Sequence, residues 1–280
     1  ANYTDMPELK GDIRRKDLSP GELMALFKDA PLDFAPGTGF KYSNSGYILL
    51  GMIIEAVSGT TYADYLDKTF FGPLGMDKTR YDDTSGIIID RVPGYDREKG
   101  GYRNTDYLSM AIPYAGGALL STVDDLSVWN KAVMGHGILS RGAVGKAHSR
   151  YVLDNGERID YGLGWRLGNV QGSPSIKHGG SVNGFTSFAL YLPEEEVFVA
   201  LLTNCGCTWP IEDIASKMAA VAMGRPYELG SVEVPAKSLE RLQGEYLSDQ
   251  GVLRTIRLED GTLLYFGKGG EKTRLLPLGG

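Results

Sequence analysis

The sequence predicts an α+β fold: an antiparallel sheet flanked by helices, with a helical subdomain and a small partial β-rich domain at the C-terminus. Three observations predict it. Up to about residue 150 the apolar residues recur mostly at helical spacing, i, i+3 and i+4. From there the period changes to two-residue alternation, which reads as strands. Residues 225–237 then carry two prolines and little periodicity, and alternation resumes beyond them. The expected division is a main domain over 1–225, a linker over 226–236 and the β-rich appendage over 237–280.

Each element has a local reason. Residues 1–18 are polar and read as irregular. Ser19-Pro20-Gly21-Glu22 is a capping box with proline at the first helical position, opening a helix to about Lys28 with Leu23, Leu26 and Phe27 inward. Pro36-Gly37 and Thr38-Gly39 are turn punctuation. From Ser45, the residues Ile48, Leu49, Met52, Ile53, Ala56 and Val57 predict a helix packed on a core, stopped by Gly59. Thr60 or Thr61 caps the next helix, which carries Tyr62, Tyr65, Leu66 and Phe70 and ends at Gly72-Pro73. Residues 79–113 read as loop with short strands. A capped helix covers 124–134, and 140–150 hold a further turn or two.

Strands are expected over 161–167, 175–178, 184–192 and 197–203, with Pro193-Glu194-Glu195-Glu196 turning the last hairpin. A helix over 211–223 sets Ile214, Met218, Val221 and Ala222 on one face. In the appendage, 244–246, 253–258 and 263–266 alternate, and Asp260-Gly261 is a hairpin signal.

Composition excludes several classes. The chain has 280 residues, 42% hydrophobic and 23% charged, enough for one large domain with a small appendage. A net charge of −6 and no Lys/Arg stripe leave no footprint for nucleic acid. No apolar run approaches the roughly 18–20 residues that span a bilayer. Cys205-x-Cys207 is too short for a comfortable disulfide and too sparse for zinc, so it reads as two small buried residues at a strand end. No His/Asp/Glu cluster has metal-ligand spacing, and no cofactor is expected.

Two stretches carry candidate chemistry. Tyr42-Ser43-Asn44 stands where a tight loop enters the long apolar helix, so a phenol and an amide are held at a firm junction. Tyr102-Arg103-Asn104 repeats the triplet in a polar stretch with no such helix behind it. The second stretch is Ile176-Lys177-His178-Gly179-Gly180-Ser181, in which two glycines after a histidine at a strand end allow close approach of backbone or ligand. Tyr114 and Trp165 read as core aromatics, and His136 and His148 as surface or packing residues.

Taken with Pro73-Leu-Gly-Met76, Ala115-Gly-Gly117 and Gly162-Leu-Gly-Trp165, these stretches resemble the serine hydrolases of the penicillin-binding-protein and class C β-lactamase superfamily. The likeness covers about residues 1–223, and 237–280 resemble the start of a C-terminal β domain of some members. It implies a β-lactamase/transpeptidase-like fold and an acyl-enzyme mechanism on the amide or ester of a small molecule or peptide. Tyr42-Ser43-Asn44 matches the second active-site motif. His178-Gly179-Gly180 stands where the third has Lys-Thr-Gly or His-x-Gly, and the histidine favours a peptidase or esterase over a β-lactamase.

The resemblance assigns roles. Tyr42 would be the base that activates a serine, once a neighbouring cation lowers its pKa from the ordinary value near 10. Asn44 would hold that cation's side chain and a substrate carbonyl together. His178 would orient substrate or relay a proton to Tyr42, and the Ser181 N–H, beside Gly179 and Gly180, would complete the oxyanion hole. The first motif, Ser-x-x-Lys, is absent: no serine has lysine three residues on, and Thr38-Gly-Phe-Lys41 lies in a turn. The chain is therefore expected to begin after the segment that carries the nucleophile, to be inactive alone, and to expose a strand edge and apolar surface that favour aggregation. Family habit favours a periplasmic or secreted bacterial protein. The rival expectations are a non-catalytic binding or scaffold protein on the same fold, and a module that takes up peptide on the strand beside His178.

Overall fold

The computed structural model describes residues 2–83, 86–207, 210–227, 234–247, 253–267 and 272–275. The chain forms two compact units, Ala1–Arg225 and Pro226–Gly280. Of the expected linker, 228–233 lie outside the described residues.

In the first unit the opening residues are ordered against the core. Three 3-10 turns, Tyr3–Asp5, Pro7–Leu9 and Gly11–Arg15, lead to α1 (Pro20–Ala25), capped by the Ser19/Glu22 box. The irregular reading of 1–18 is corrected here. Tyr3 is buried, its N–H donates to Ser45 Oγ (2.7 Å) and its hydroxyl to the Ile112 carbonyl (2.8 Å). Polar residues hid one aromatic anchor. Tyr3, Leu9, Leu23, Phe27, Ile48, Ile112 and Tyr114 form the core on this side.

The long helix α2 (Asn44–Ser58) starts at Ser43, whose side chain caps it, and stops at Gly59, in the left-handed conformation (φ +70). Only Ser45, Ile48 and Gly51 are buried along it, while Leu49, Leu50, Ile53 and Val57 face solvent. The expected core helix is thus apolar on two sides and covered on one. Gly51 is required on the covered side: a Cβ there would stand 2.6 Å from the Tyr114 ring and 2.5 Å from Ala115 Cβ.

Thr61 caps α3 (Tyr62–Leu66), which runs through a π turn (Asp67–Phe71) into α4 (Gly72–Leu74), and Gly75 ends the helical run. The short strands β1 (Arg80–Tyr81) and β4 (Leu119–Leu120) pair, and β2 (Tyr95–Glu98) with β3 (Gly101–Asn104) forms a hairpin holding the second Tyr-x-Asn triplet. Next come α5 (Val123–Met134), capped by Thr122, and α6 (Arg141–Ala147), capped by Ser140. A small hairpin, β5 (Tyr151–Val152) with β6 (Arg158–Ile159), follows.

The main sheet is antiparallel, in the order β10-β9-β8-β7: β7 (Arg166–Val170), β8 (Ser173–Val182), β9 (Phe185–Leu192) and β10 (Val197–Thr203). The strand expected over 161–167 begins only at Arg166. Glycines 162 and 164 turn the chain first, and Tyr161 bridges back to Arg166. His178-Gly179-Gly180 is likewise not at a strand end, since β8 continues to Val182. Its glycines let β9 approach: a Cβ on Gly180 would meet Ser187 Oγ at 2.8 Å, and one on Gly179 the Phe188 ring at 3.0 Å.

Helix α7 (Ile211–Ala222) packs on β7, β9 and β10 through Ala215, Ala219 and Ala220. The expected grouping of Ile214, Met218, Val221 and Ala222 on one face holds, and that face is the outward one. Met218 and Val221 are 47% and 64% exposed. Small residues let the helix axis close on the sheet, and the bulky apolar residues point away from it.

The cysteine reading is also corrected. Cys205 and Cys207 are disulfide-bonded, with Cα atoms 5.0 Å apart, a normal span for such a bridge. The chain leaves β10 and folds around Gly206, whose N–H donates to the Tyr95 carbonyl (2.7 Å), and that curl brings the two sulfurs together.

The second unit holds α8 (Ala236–Glu240) and an antiparallel meander of β11 (Gly244–Leu247), β12 (Leu253–Glu259), β13 (Thr262–Phe266) and β14 (Lys272–Leu275). Asp260 and Gly261 both have positive φ (+49 and +72), the backbone of a two-residue hairpin turn of right-handed twist.

Candidate active site

Tyr42, Tyr161 and His178 meet from three separate parts of the first unit. Tyr42 is the last residue before the cap of α2, His178 lies in β8, and Tyr161 precedes β7. Ring centroids are 6.0 Å apart for Tyr42 and His178, 6.3 Å for Tyr42 and Tyr161, and 5.9 Å for Tyr161 and His178. Phe40 packs on the Tyr161 ring at 5.2 Å. Tyr42 itself is 40% exposed, so the cluster opens to solvent on its side.

Asn44 is the first residue of α2. Its backbone N–H donates to Asn2 Oδ1 (3.0 Å), and its side chain lies over the Gly116 backbone, where a Cβ would be 3.8 Å from Asn44 Oδ1. The second glycine-bearing segment, Ala115-Gly116-Gly117, therefore borders the same junction. Gly179, Gly180 and Ser181 pair with Phe188, Ser187 and Thr186 of β9. Strand β7 reaches only to Lys177, so on the other edge this length of β8 has no strand partner among the described residues. The turn beyond is tied down: Arg14 donates to Asn183 Oδ1 (2.9 Å), and Asn183 Nδ2 to the Asp106 carbonyl (2.9 Å).

Both imidazole nitrogens of His178 are engaged. Nε2 is 2.8 Å from the Tyr161 hydroxyl and Nδ1 is 2.7 Å from the Gly179 carbonyl oxygen. Burial pushes the His178 pKa down; the Gly179 carbonyl opposes that and the Arg166 guanidinium adds to it. Burial also pushes the Tyr42 phenol up, with Arg166 pulling the other way, and raises Tyr161, with Tyr47 and Tyr42 adding. At neutral pH all three groups are uncharged, and Arg166 is the cation they feel. Lys41 is spent elsewhere, 2.9 Å from Asp33 Oδ1. Among the described residues no group of three His, Cys, Asp or Glu side chains is placed to hold a metal ion.

Sequence reasoning missed Tyr161 and Arg166, which flank the Gly162-Leu-Gly-Trp165 turn it had singled out. That turn cannot take side chains at its glycines. A Cβ on Gly162 would stand 2.0 Å from the Ala147 carbonyl oxygen, and one on Gly164 (φ +83) 2.8 Å from the Tyr47 hydroxyl. The Gly162 N–H donates to the Trp165 carbonyl (2.8 Å) and the Leu163 N–H to that of Ala147 (2.9 Å). A glycine turn pinned this tightly fixes the residues on either side of it.

An antiparallel sheet faced by helices, with a Tyr-x-Asn junction opposite a histidine strand, defines a protein of the β-lactamase/transpeptidase fold class. The chain belongs to the Beta-lactamase family, which it matches over residues 2–210. It is 28% identical to "Penicillin-binding protein 4*" of Bacillus subtilis, covering 87% of this chain and 59% of that protein. It is 26% identical to "D-aminopeptidase" of Gluconobacter oxydans, over 88% of this chain and 44% of that protein. The octameric penicillin-binding protein homologue from Pyrococcus abyssi superposes with a TM-score of 0.66 at 29% identity, over 91% of this chain and 60% of that one. The chain thus spans about half of the length of these relatives.

Proposed function

We propose that this chain is part of a serine hydrolase that acts through an acyl-enzyme on an amide or ester, with the nucleophile on a preceding segment. The observation that carries the reading is the meeting of Tyr42 and His178, 136 positions apart in sequence, with ring centroids 6.0 Å apart at an opening beside α2. Similarity to a penicillin-binding protein and a D-aminopeptidase supports an amide substrate.

Tyr42 is the proton acceptor for the serine. In the described chain its phenol is neutral, held up by burial. A lysine ammonium brought alongside by a Ser-x-x-Lys segment would stabilise the phenolate and bring it into working range. Asn44, with one acceptor and one donor group, holds that lysine and the substrate carbonyl. The free edge of β8 at Gly179–Ser181 supplies the backbone N–H that meets the developing oxyanion, and His178 orients the substrate. The uncovered apolar sides of α2 and α7, and the outer edge of β10, are where the preceding segment packs.

Kinetics of the full-length protein test this. Tyr42→Phe keeps ring and packing but removes the acceptor, and is expected to lower kcat about 10²–10⁴-fold with little change in KM. A variant with wild-type turnover takes Tyr42 out of the mechanism.

A further inference from the structure

The hydrogen bonds around His178 assign its protons. The Gly179 carbonyl can only accept, so at 2.7 Å the imidazole Nδ1 must carry hydrogen and donate to it. A neutral ring then presents a bare lone pair at Nε2, and the group 2.8 Å away is the Tyr161 hydroxyl, which must donate. We propose that Tyr161 is a positioning residue for His178: its phenol donates to Nε2, fixes the Nδ1–H tautomer, and occupies the lone pair with which the imidazole could take a proton from Tyr42.

The surroundings are built for this. Tyr161 stands immediately before the glycine turn pinned to Ala147 and Trp165, its ring is held by Phe40, and its own carbonyl accepts from the Tyr151 N–H (3.2 Å). The two rings meet edge to face at 5.9 Å with an interplanar angle of 80°, an arrangement that brings the hydroxyl to the ring nitrogen. Burial agrees with the neutral state of both partners, keeping the imidazole from protonating and the phenol from ionising. The charged groups felt there give no reason for an imidazolium: Arg166 is a cation, and it opposes a second one.

The consequence sharpens the proposed site, on whose reading it rests for its catalytic meaning. Of the two roles open to His178, orienting substrate and relaying a proton to Tyr42, the second is closed. The imidazole has one nitrogen committed to a carbonyl and the other to a phenol, so it acts as a fixed neutral group. The phenol oxygen of Tyr161, having donated its proton, retains acceptor capacity for an N–H of the substrate.

The test is NMR of the chain labelled with ¹⁵N-histidine, with His178→Gln identifying the resonance. At pH 7 the wild-type ring is expected to be neutral, protonated on Nδ1, with Nε2 showing the shift of a hydrogen-bonded acceptor. Tyr161→Phe removes one oxygen and should erase that acceptor shift, leaving Nε2 with the shift of an unbonded lone pair. A proton on Nε2, an imidazolium at pH 7, or an acceptor shift that persists in a folded Tyr161→Phe chain would overturn the proposal. Should that variant not fold, the wild-type tautomer decides alone. These signals need no turnover, so a correct tautomer in a protein that takes no serine-directed label would refute the hydrolase reading and leave Tyr161 in its role.

Discussion

The cluster around His178 and the two long helices of the first unit are built on opposite principles. The cluster is fixed from within: both imidazole nitrogens have partners, the turn before β7 is pinned by backbone hydrogen bonds, and two of its glycines touch neighbours that would exclude a side chain. Helices α2 and α7 leave large apolar residues uncovered. The first buries Ser45, Ile48 and Gly51 and the second Ala215, Ala219 and Ala220, while other large apolar residues of each turn outward, Val57 to 83% exposure. The difference teaches which properties belong to this chain alone. The geometry of Tyr161 and His178 is internal to it; the proposed chemistry rests on a segment the proposal places outside it.

That contrast can be broken at several points. The largest effect is the loss of turnover in Tyr42→Phe given above. Next is Gly162→Ala. The new Cβ would lie 2.0 Å from the Ala147 carbonyl oxygen, so backbone must move, at a cost of about 3 kcal/mol in urea unfolding. A loss under about 0.5 kcal/mol would mean the turn is not pinned.

Smaller changes should follow lysine on the helices. Val57→Lys and Met218→Lys place charge on outward positions, and in this chain each should alter stability by no more than about 0.5 kcal/mol while reducing self-association seen by light scattering. In the full-length protein the same changes should cost about 2 kcal/mol or more, as expected for a charge introduced under cover. Equal effects in both proteins would show that nothing packs there.

The smallest effect is a pH dependence. His148 and His178 are both held below the ordinary histidine value by burial. A depressed native pKa contributes stability that is present above the unfolded value, near 6.5, and is lost as pH falls through the native one. The urea midpoint should therefore drop between pH 7 and pH 5 with the slope unchanged. A flat or rising midpoint contradicts it.

Much of the architecture was legible in local chemistry. The Ser19/Glu22 box, the Thr61 cap, the Gly59 stop and the Asp260-Gly261 turn act within a few residues of themselves, so sequence is enough to place them. The change of period marked the main sheet. Failures came where distant parts decide. Tyr3 is an anchor only because Ser45 and Ile112 receive it. Periodicity grouped Ile214, Met218 and Val221 on one face of α7 but could not say which way it turns; the helix is seated on the sheet by its alanines, and that face points outward. The disulfide needed the curl at Gly206. In the site, Tyr42, Asn44 and His178 stand in recognisable motifs, but Tyr161 is one of 16 tyrosines, and its meaning rests on which ring nitrogen it reaches. The signal that could have found it was the glycine turn directly after it.

The central claim is that this chain completes a site whose serine is supplied from outside it. The direct measurement is covalent labelling with a fluorophosphonate or penicillin probe, read by intact mass, on the chain alone and on the full-length protein. One adduct on the full-length protein, mapped to a serine preceding Ala1, and none on the chain alone is the predicted result. A full-length protein that takes no label, or an adduct on a residue within this chain, would contradict it.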